Sequence, residues 1–166
     1  QVLNFGKISE TVHSYWNLQT LVEESMHLVR LKLLQNKIET RLEPNKGKLI
    51  IEANKGQVQQ VILNLILNAQ QVMLDGGTIT FRCSQESIKG QLYGCIEIED
   101  TGTGIEPDIK DQIFDSFLTG RPGGTGLGLA IVKRILKSHR GDIIVKKSGP
   151  EGTTMKLWLP LIEGKG

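Results

Sequence analysis

The chain has few aromatic residues, few cysteines, no long apolar run and no dominant charge sign. Phe, Trp and Tyr make up 5% of its 166 residues, too few for a platform on which nucleic-acid bases stack. Twenty basic against 18 acidic residues leave a net charge of +2, which gives no electrostatic footprint for a polyanion. Nucleic acid is therefore not an expected partner. The two cysteines, Cys83 and Cys95, fall in separate strand-like runs and make no CxxC or zinc spacing. Two reduced, buried thiols in a cytoplasmic chain are expected, not a disulfide. The longest apolar block, VILNLIL, is far shorter than the roughly 18 residues of a membrane span, so no membrane contact is expected of this segment. No signal peptide, internal repeat or low-complexity segment is present. The chain opens in mid-pattern at Gln1 without a Met, which reads as a piece of something longer.

What remains is the composition of one globular domain, 39% hydrophobic and 23% charged, long enough to bury a core. QVLNF reads as the end of a helix and residues 6–14 as a linker. Apolar residues at 18, 21, 22, 28, 29 and 33 predict an amphipathic helix over 18–34. Residues 37–43 (KIETRLE) and 49–53 read as strands, and 56–74 as a strong helix closed by Gly76 and Gly77. Strands over 78–84 and 92–99 are joined by a polar turn at Lys89 and Gly90. DTGTGIEP is a turn cluster, Pro107 opens a short helix through Phe114, and 115–125 is a Gly/Pro loop. A helix over 126–138 and strands over 141–147 and 153–159 complete the chain. This order predicts an α/β sandwich, a mixed sheet with helices on one face.

Three segments carry chemistry. In GRPGGTGLGLAIVKRIL, glycines at 123, 124, 126 and 128 run straight into a helix pattern, and a helix start of that kind is a ready anion site. On the helix over 56–74, Gln60, Asn64, Asn68 and Gln71 make a row of neutral amides beside the apolar face. An Asn there can ligate Mg²⁺ through its oxygen and donate to phosphate through its nitrogen; the alternative is a face packed on another element. DTGTGI places Asp100 at a strand end before Gly102 and Gly104. A carboxylate in a pocket floored by bare backbone would accept from an amino group and choose adenine over guanine; a β-turn with an Asx cap is the alternative. Phe114 and Phe117, spaced by three, could anchor a lid hinge or simply pack, and Arg121 could close onto a terminal phosphate or stay solvated.

Together and in this order, these segments resemble the catalytic and ATP-binding domain of bacterial sensor histidine kinases, within the superfamily that also holds DNA gyrase, Hsp90 and MutL. QQVILNLILNA (59–69) is similar to the N box, DTGTG to the first glycine box, IFDSF to the F box and GTGLGL (124–129) to the second glycine box. GTTMKLWLP (152–160) resembles the closing strand. The short lid and the NAQQVM…DGG wording look most like the nitrogen-regulation group. The resemblance implies the two-layer α/β sandwich of the Bergerat fold. It also implies a division into a dimerisation-helix tail and linker (1–14), an ATP-binding catalytic domain (15–162) and a C-terminal tail (163–166).

The resemblance implies roles as well. Asn68 matches the Mg²⁺ ligand and Asn64 the residue lining the phosphates. Asp100 matches the adenine reader, with Gly102 and Gly104 shaping its pocket, Ile105 touching the ring and Thr153 near the adenine. Gly124, Thr125, Gly126, Leu127, Gly128 and Leu129 form the phosphate loop, its glycines contacting phosphate and its leucines packing. The lid departs from the family's Thr-Thr-Lys: it reads Thr119, Gly120, Arg121, leaving Arg121 as the cation. Gln71 stands where a Lys is usual, which points to weaker nucleotide affinity.

ATPases and serine kinases of the superfamily carry Glu as general base at the position of Asn64, and an amide cannot take a proton at neutral pH. The expected reaction is therefore transfer of the γ-phosphate of ATP, with Mg²⁺, to a histidine. His13, His27 and His139 do not fit the acceptor pattern; His139 in particular reads as structural at a helix C-terminus with a favourable dipole. The acceptor is then expected on a dimerisation domain of the same protein, upstream, with a response-regulator receiver domain as downstream partner. An anti-sigma-factor-type serine kinase and a catalytically silent nucleotide-binding module are the alternatives. The membrane anchoring of the full-length protein is left open.

Overall fold

The computed structural model describes residues 13–115 and 128–162. Strand β1 (Ser14–Asn17) leads into α1 (Leu18–Gln35), then come β2 (Ile38–Glu43), β3 (Ile50–Ala53), α2 (Lys55–Gln71), β4 (Gly77–Ile88) and β5 (Gln91–Asp100). After a short 3₁₀ turn at Lys110–Gln112 follow α3 (Gly128–Ser138), β6 (Asp142–Gly149) and β7 (Gly152–Pro160). The main sheet runs β2-β4-β5-β7-β6; β2 is parallel to β4 and the other pairs are antiparallel, so the sheet is mixed as expected. β1 and β3 form a separate two-stranded ribbon.

Two asparagines start the first two helices. Asn17 accepts from the N–H of Gln19 (3.2 Å) and of Leu49 (3.2 Å), and Asn54 accepts from the N–H of Gln57 (2.9 Å). Along β4, Ile79, Phe81 and Cys83 are buried while Thr80, Arg82 and Ser84 are not, the alternation of a sheet with one dry face. Leu21 and Val22 of α1, Val58, Ile62 and Ile66 of α2, and Val132 and Leu136 of α3 fill that dry side. The other face is laced with exposed ion pairs: Arg82 lies 2.5 Å from Glu99 and 3.2 Å from Glu43, Lys146 lies 2.6 Å from Glu97, and Lys156 pairs with Glu86. Such pairs add little stability but keep that face wet.

Four expectations are corrected. Ser14, assigned to a linker, begins β1. This strand is too short to show a period, and its partner Ile50–Ala53 is distant in sequence. The helix expected from Pro107 to Phe114 is only turns and one 3₁₀ turn. α2 stops at Gln71, not at 74, and Leu74 is 87% exposed, so the apolar residue that suggested the longer helix does not face the core. The β4–β5 strands extend past the expected ends because Lys89 (φ 51°) and Gly90 (φ 83°) form a tight two-residue turn that pairs them to Ile88 and Gln91.

Both cysteines are free and buried. Cys83 pairs in register with Ile96, so Cys83 and Cys95 point to opposite faces of the sheet. Burial pushes the Cys83 thiol up to about 11 and the Cys95 thiol up to about 12, which keeps both protonated and unreactive near neutrality.

His139 ties the end of α3 to the start of α2. Its Nε2 accepts from the Asn54 N–H (3.2 Å) and its Nδ1 lies 2.9 Å from the Ile135 carbonyl, which makes Nδ1 the protonated nitrogen. The His13 ring stacks on it at 5.1 Å. Burial lowers the His139 pKa; the Ile135 carbonyl opposes this, and His13 adds to it. Desolvation thus outweighs the pull of the Ile135 carbonyl. The unfolded chain takes up this proton near 6.5, before the folded chain does. Stability present above that pH is lost as the pH falls through the folded value. The unfolding temperature is therefore expected to drop between pH 7.5 and 5.5, and His139→Gln should flatten the drop. A flat wild-type profile in that window contradicts it.

Candidate functional site

α2 presents two asparagines one turn apart beside its buried face. The Asn68 Nδ2 donates to the Asn64 carbonyl at 2.8 Å, and the Asn64 Nδ2 donates to the Gly128 carbonyl at 3.3 Å. Gly128 is the first described residue of α3, and a Cβ on it would sit 3.5 Å from the Asn68 Nδ2. Both amides therefore lie against the opening turn of α3, whose N–H groups and dipole favour negative charge. Leu129 is buried beneath that turn. Gln60 and Gln71, grouped with the asparagines by spacing, are exposed.

At the end of β5, Asp100 is 8% exposed and pairs in register with Thr153 of β7. Its Oδ1 accepts from the Gly102 N–H (2.9 Å) and from the Thr153 N–H (3.2 Å). The two glycines that follow serve close packing more than an open floor. A Cβ on Gly102 would stand 2.6 Å from the Val72 carbonyl, and Thr103 donates to that same carbonyl at 3.3 Å. Gly104 has φ +84°, and a Cβ there would overlap the Gly149 carbonyl. The loop is thus wedged between the end of α2 and the β6–β7 hairpin.

Asn68, Asp100, Gly104, Ile105 and Thr153 meet around one narrow cleft, completed by Leu65, Ala69, Val72, Ile98 and Met155. Its lining sets the polar side chains of Asn68, Asp100 and Thr153 among apolar ones, the mix of a site that takes an apolar ring with a hydrogen-bonding edge. The donor set fits an adenine nucleotide with Mg²⁺: a carboxylate at the wall and amide oxygens near a helix start. Arg121, Gly124, Thr125, Gly126 and Leu127 lie outside the described residues, as does Phe117. Phe114 is described, and the Lys133 ammonium stands 5.3 Å from the centre of its ring.

Two contributors escape a reading of the sequence. Ser148 accepts from the Ile105 N–H (2.9 Å) and lies 3.0 Å from the Thr153 hydroxyl. Thr101 accepts from the Thr78 N–H (3.1 Å) and so fixes the first residue of the glycine loop to β4. The turn GPEG (149–152) sets residue 148 opposite 153, but the face that Ser148 shares with Val145 depends on a bulge in β6, which no local pattern shows.

Comparison with known proteins places the chain in a family. Residues 53–163 match the family model described as "Histidine kinase-, DNA gyrase B-, and HSP90-like ATPase". The chain is 37% identical over 164 residues to the signal transduction histidine-protein kinase AtoS of Escherichia coli K12, covering 97% of this chain and 26% of AtoS. It is 35% identical to the sensory histidine kinase/phosphatase NtrB of Vibrio alginolyticus, covering 88% of this chain and 43% of NtrB. The chain thus spans less than half the length of these relatives. Among solved structures, the catalytic domain of histidine kinase ThkA superposes with a TM-score of 0.79 at 25% identity, over 91% of this chain and 97% of that one. Full-length ShkA in complex with AMPPNP gives 0.78 at 26% identity, over 90% of this chain and 31% of that one. ATP with Mg²⁺ is the nucleotide of histidine kinases in this family. The chain belongs to the histidine kinase-, DNA gyrase B- and HSP90-like ATPase family.

Proposed function

We propose that this chain is the ATP-binding catalytic domain of a cytoplasmic sensor-kinase segment, and that it donates the γ-phosphoryl group to a histidine on a separate dimerisation domain. The observation that carries this reading is the cleft in which Asn68, Asp100, Gly104, Ile105 and Thr153 meet beside the start of α3. Asp100 accepts from the amino group of adenine, Thr153 stands beside it, and Ile105 covers the ring. Asn68 ligates Mg²⁺ through its amide oxygen, and Asn64 lines the phosphates. Gly128 and Leu129 open the helix whose dipole faces them, and Arg121 with residues 124–127 completes the phosphate loop. Bound ATP–Mg²⁺ supplies an activated phosphoryl group with part of its charge neutralised. Residues 15–162 make up the domain, with residues 1–14 leading in from the dimerisation segment and 163–166 a tail. Among the described residues no helix is long and apolar enough to cross a membrane.

Asn64 sets the kind of reaction. An amide takes no proton from water at neutral pH, so hydrolysis lacks its base. A neutral imidazole is nucleophilic without one. The relatives named sensor histidine kinases support the same choice. The downstream partner of this reading is a response-regulator receiver domain.

The test is to mix the chain with γ-labelled ATP, Mg²⁺ and a histidine-bearing dimerisation domain. Acid-labile phosphate on histidine is expected. Acid-stable phosphoserine on a partner would replace the reading with a serine kinase, and bound ATP without transfer would replace it with a silent nucleotide module. Asn68→Ala is expected to make ATP affinity indifferent to Mg²⁺ in calorimetry. Persistence of the Mg²⁺ dependence in that variant removes Asn68 as the ligand.

A further inference from the structure

Ser148 belongs to none of the motifs, yet it touches two residues of the cleft. Its position depends on an irregularity in β6. Val145 pairs with Met155, but Lys147 pairs with Thr154 and Ser148 with Thr153, a β-bulge that shifts the register by one. Strand side chains alternate, and Val145 packs toward the core with Met155. In a regular strand residue 147 would face inward and Ser148 outward. The bulge reverses this and turns Ser148 to the inner face, opposite Thr153.

There its hydroxyl has two neighbours. Oγ accepts from the Ile105 N–H at 2.9 Å and lies 3.0 Å from the Thr153 Oγ1. The Ile105 N–H can only donate, so it occupies a lone pair of Ser148. Either hydroxyl can donate in the contact with Thr153; with Ser148 as the donor, its proton has an acceptor among the described residues. Thr153, with a lone pair so occupied, has its own hydroxyl proton to direct into the cleft it lines. Its backbone N–H meanwhile holds the Asp100 Oδ1 at 3.2 Å.

We propose that Ser148 is a positioning residue for nucleotide recognition: the Ile105–Ser148–Thr153 relay makes the Thr153 hydroxyl a hydrogen-bond donor beside the Asp100 carboxylate. A donor next to an acceptor suits a ring edge that carries a lone-pair nitrogen next to an amino group, as adenine does. This inference rests on the reading of the cleft as a base pocket.

The test is a calorimetric titration of the chain with ATP in excess Mg²⁺. The set is wild type, Ser148→Ala, Ser148→Cys, Ser148→Thr and Thr153→Val, the last with and without Ser148→Ala, with unfolding temperature measured on each. Ser148→Ala is expected to weaken ATP binding about tenfold, the effect of one unmade buried hydrogen bond. Ser148→Cys, close in size but a poor hydrogen-bonding partner, should show a similar loss. Ser148→Thr keeps the hydroxyl and should bind within about twofold of wild type. In the Thr153→Val background, Ser148→Ala should cost less than about twofold more, because the relay is already cut. Amide exchange at Ile105 should quicken in Ser148→Ala. Unchanged affinity in the Ala and Cys variants overturns the role of Ser148. So does a full tenfold loss that persists in the Thr153→Val background. Wild-type chain that fails to bind ATP overturns the base-pocket reading and this inference with it, whereas wild type that binds normally beside an unchanged Ser148→Ala overturns this inference alone.

Discussion

Asp100→Asn lowers the affinity for ATP by about 100-fold. The Asp100 Oδ1 is fixed by two backbone N–H groups, those of Gly102 and Thr153. An Asn has one acceptor oxygen and one NH₂. If the oxygen keeps the backbone bonds, the NH₂ faces the amino group of adenine, donor against donor. If the amide turns over, both backbone N–H groups lose their acceptor in a site that is only 8% exposed. Neither arrangement restores what a carboxylate does. Hydrogen bonds to a charged group are worth roughly 1.5–3 kcal/mol, and about 1.4 kcal/mol is a factor of ten in affinity. Calorimetry on the two proteins measures it, and equal affinities would remove Asp100 from base recognition.

Gly104→Ala destabilises the domain by about 3 kcal/mol and disrupts the cleft. A left-handed φ of +84° costs a Cβ-bearing residue roughly 1–2 kcal/mol, and here the new Cβ also overlaps the Gly149 carbonyl, which is backbone and cannot rotate away. Relief requires the loop to leave the hairpin, which pulls the Ile105 N–H from Ser148. For a chain of this size, a loss of about 3 kcal/mol corresponds to a fall of about 6–12 °C in the unfolding temperature. Gly90→Ala is the control: φ is +83°, but nothing lies within 4 Å of the new Cβ. It should show only the conformational part, and equal falls for the two variants would contradict the close approach at Gly104.

The helices were legible because their apolar residues recur with the helical period over many turns, as Val58, Val61, Ile62, Leu65 and Ala69 do on α2. The central strands were legible because one face is dry, so that Ile79, Phe81 and Cys83 alternate with half-exposed neighbours. β1 was not, because four residues (SYWN) carry no period and their pairing with β3 is decided by tertiary contact. The short helix after Pro107 failed for the opposite reason: a favourable first residue does not supply the buried face that would hold a helix there. In the site, Asp100 and the two asparagines stood out by residue type and spacing. The placement of Asp100 against Thr153 depends on strand register, and that of Ser148 on a bulge, neither of which a local pattern shows. The glycines at 102 and 104 were legible as special but not for the reason found, since the atoms they approach belong to Val72 and Gly149.

The most direct measurement is an NMR titration of the isotopically labelled chain with ATP–Mg²⁺, following backbone amides. The account predicts one saturable event whose shifts concentrate at Gly102, Gly104, Ile105, Thr153 and Gly128, with Asn64 and Asn68 responding to the metal-bound nucleotide. Shifts centred instead on the hollow between His13, His139 and Arg140, or no saturable shift at all, would contradict it.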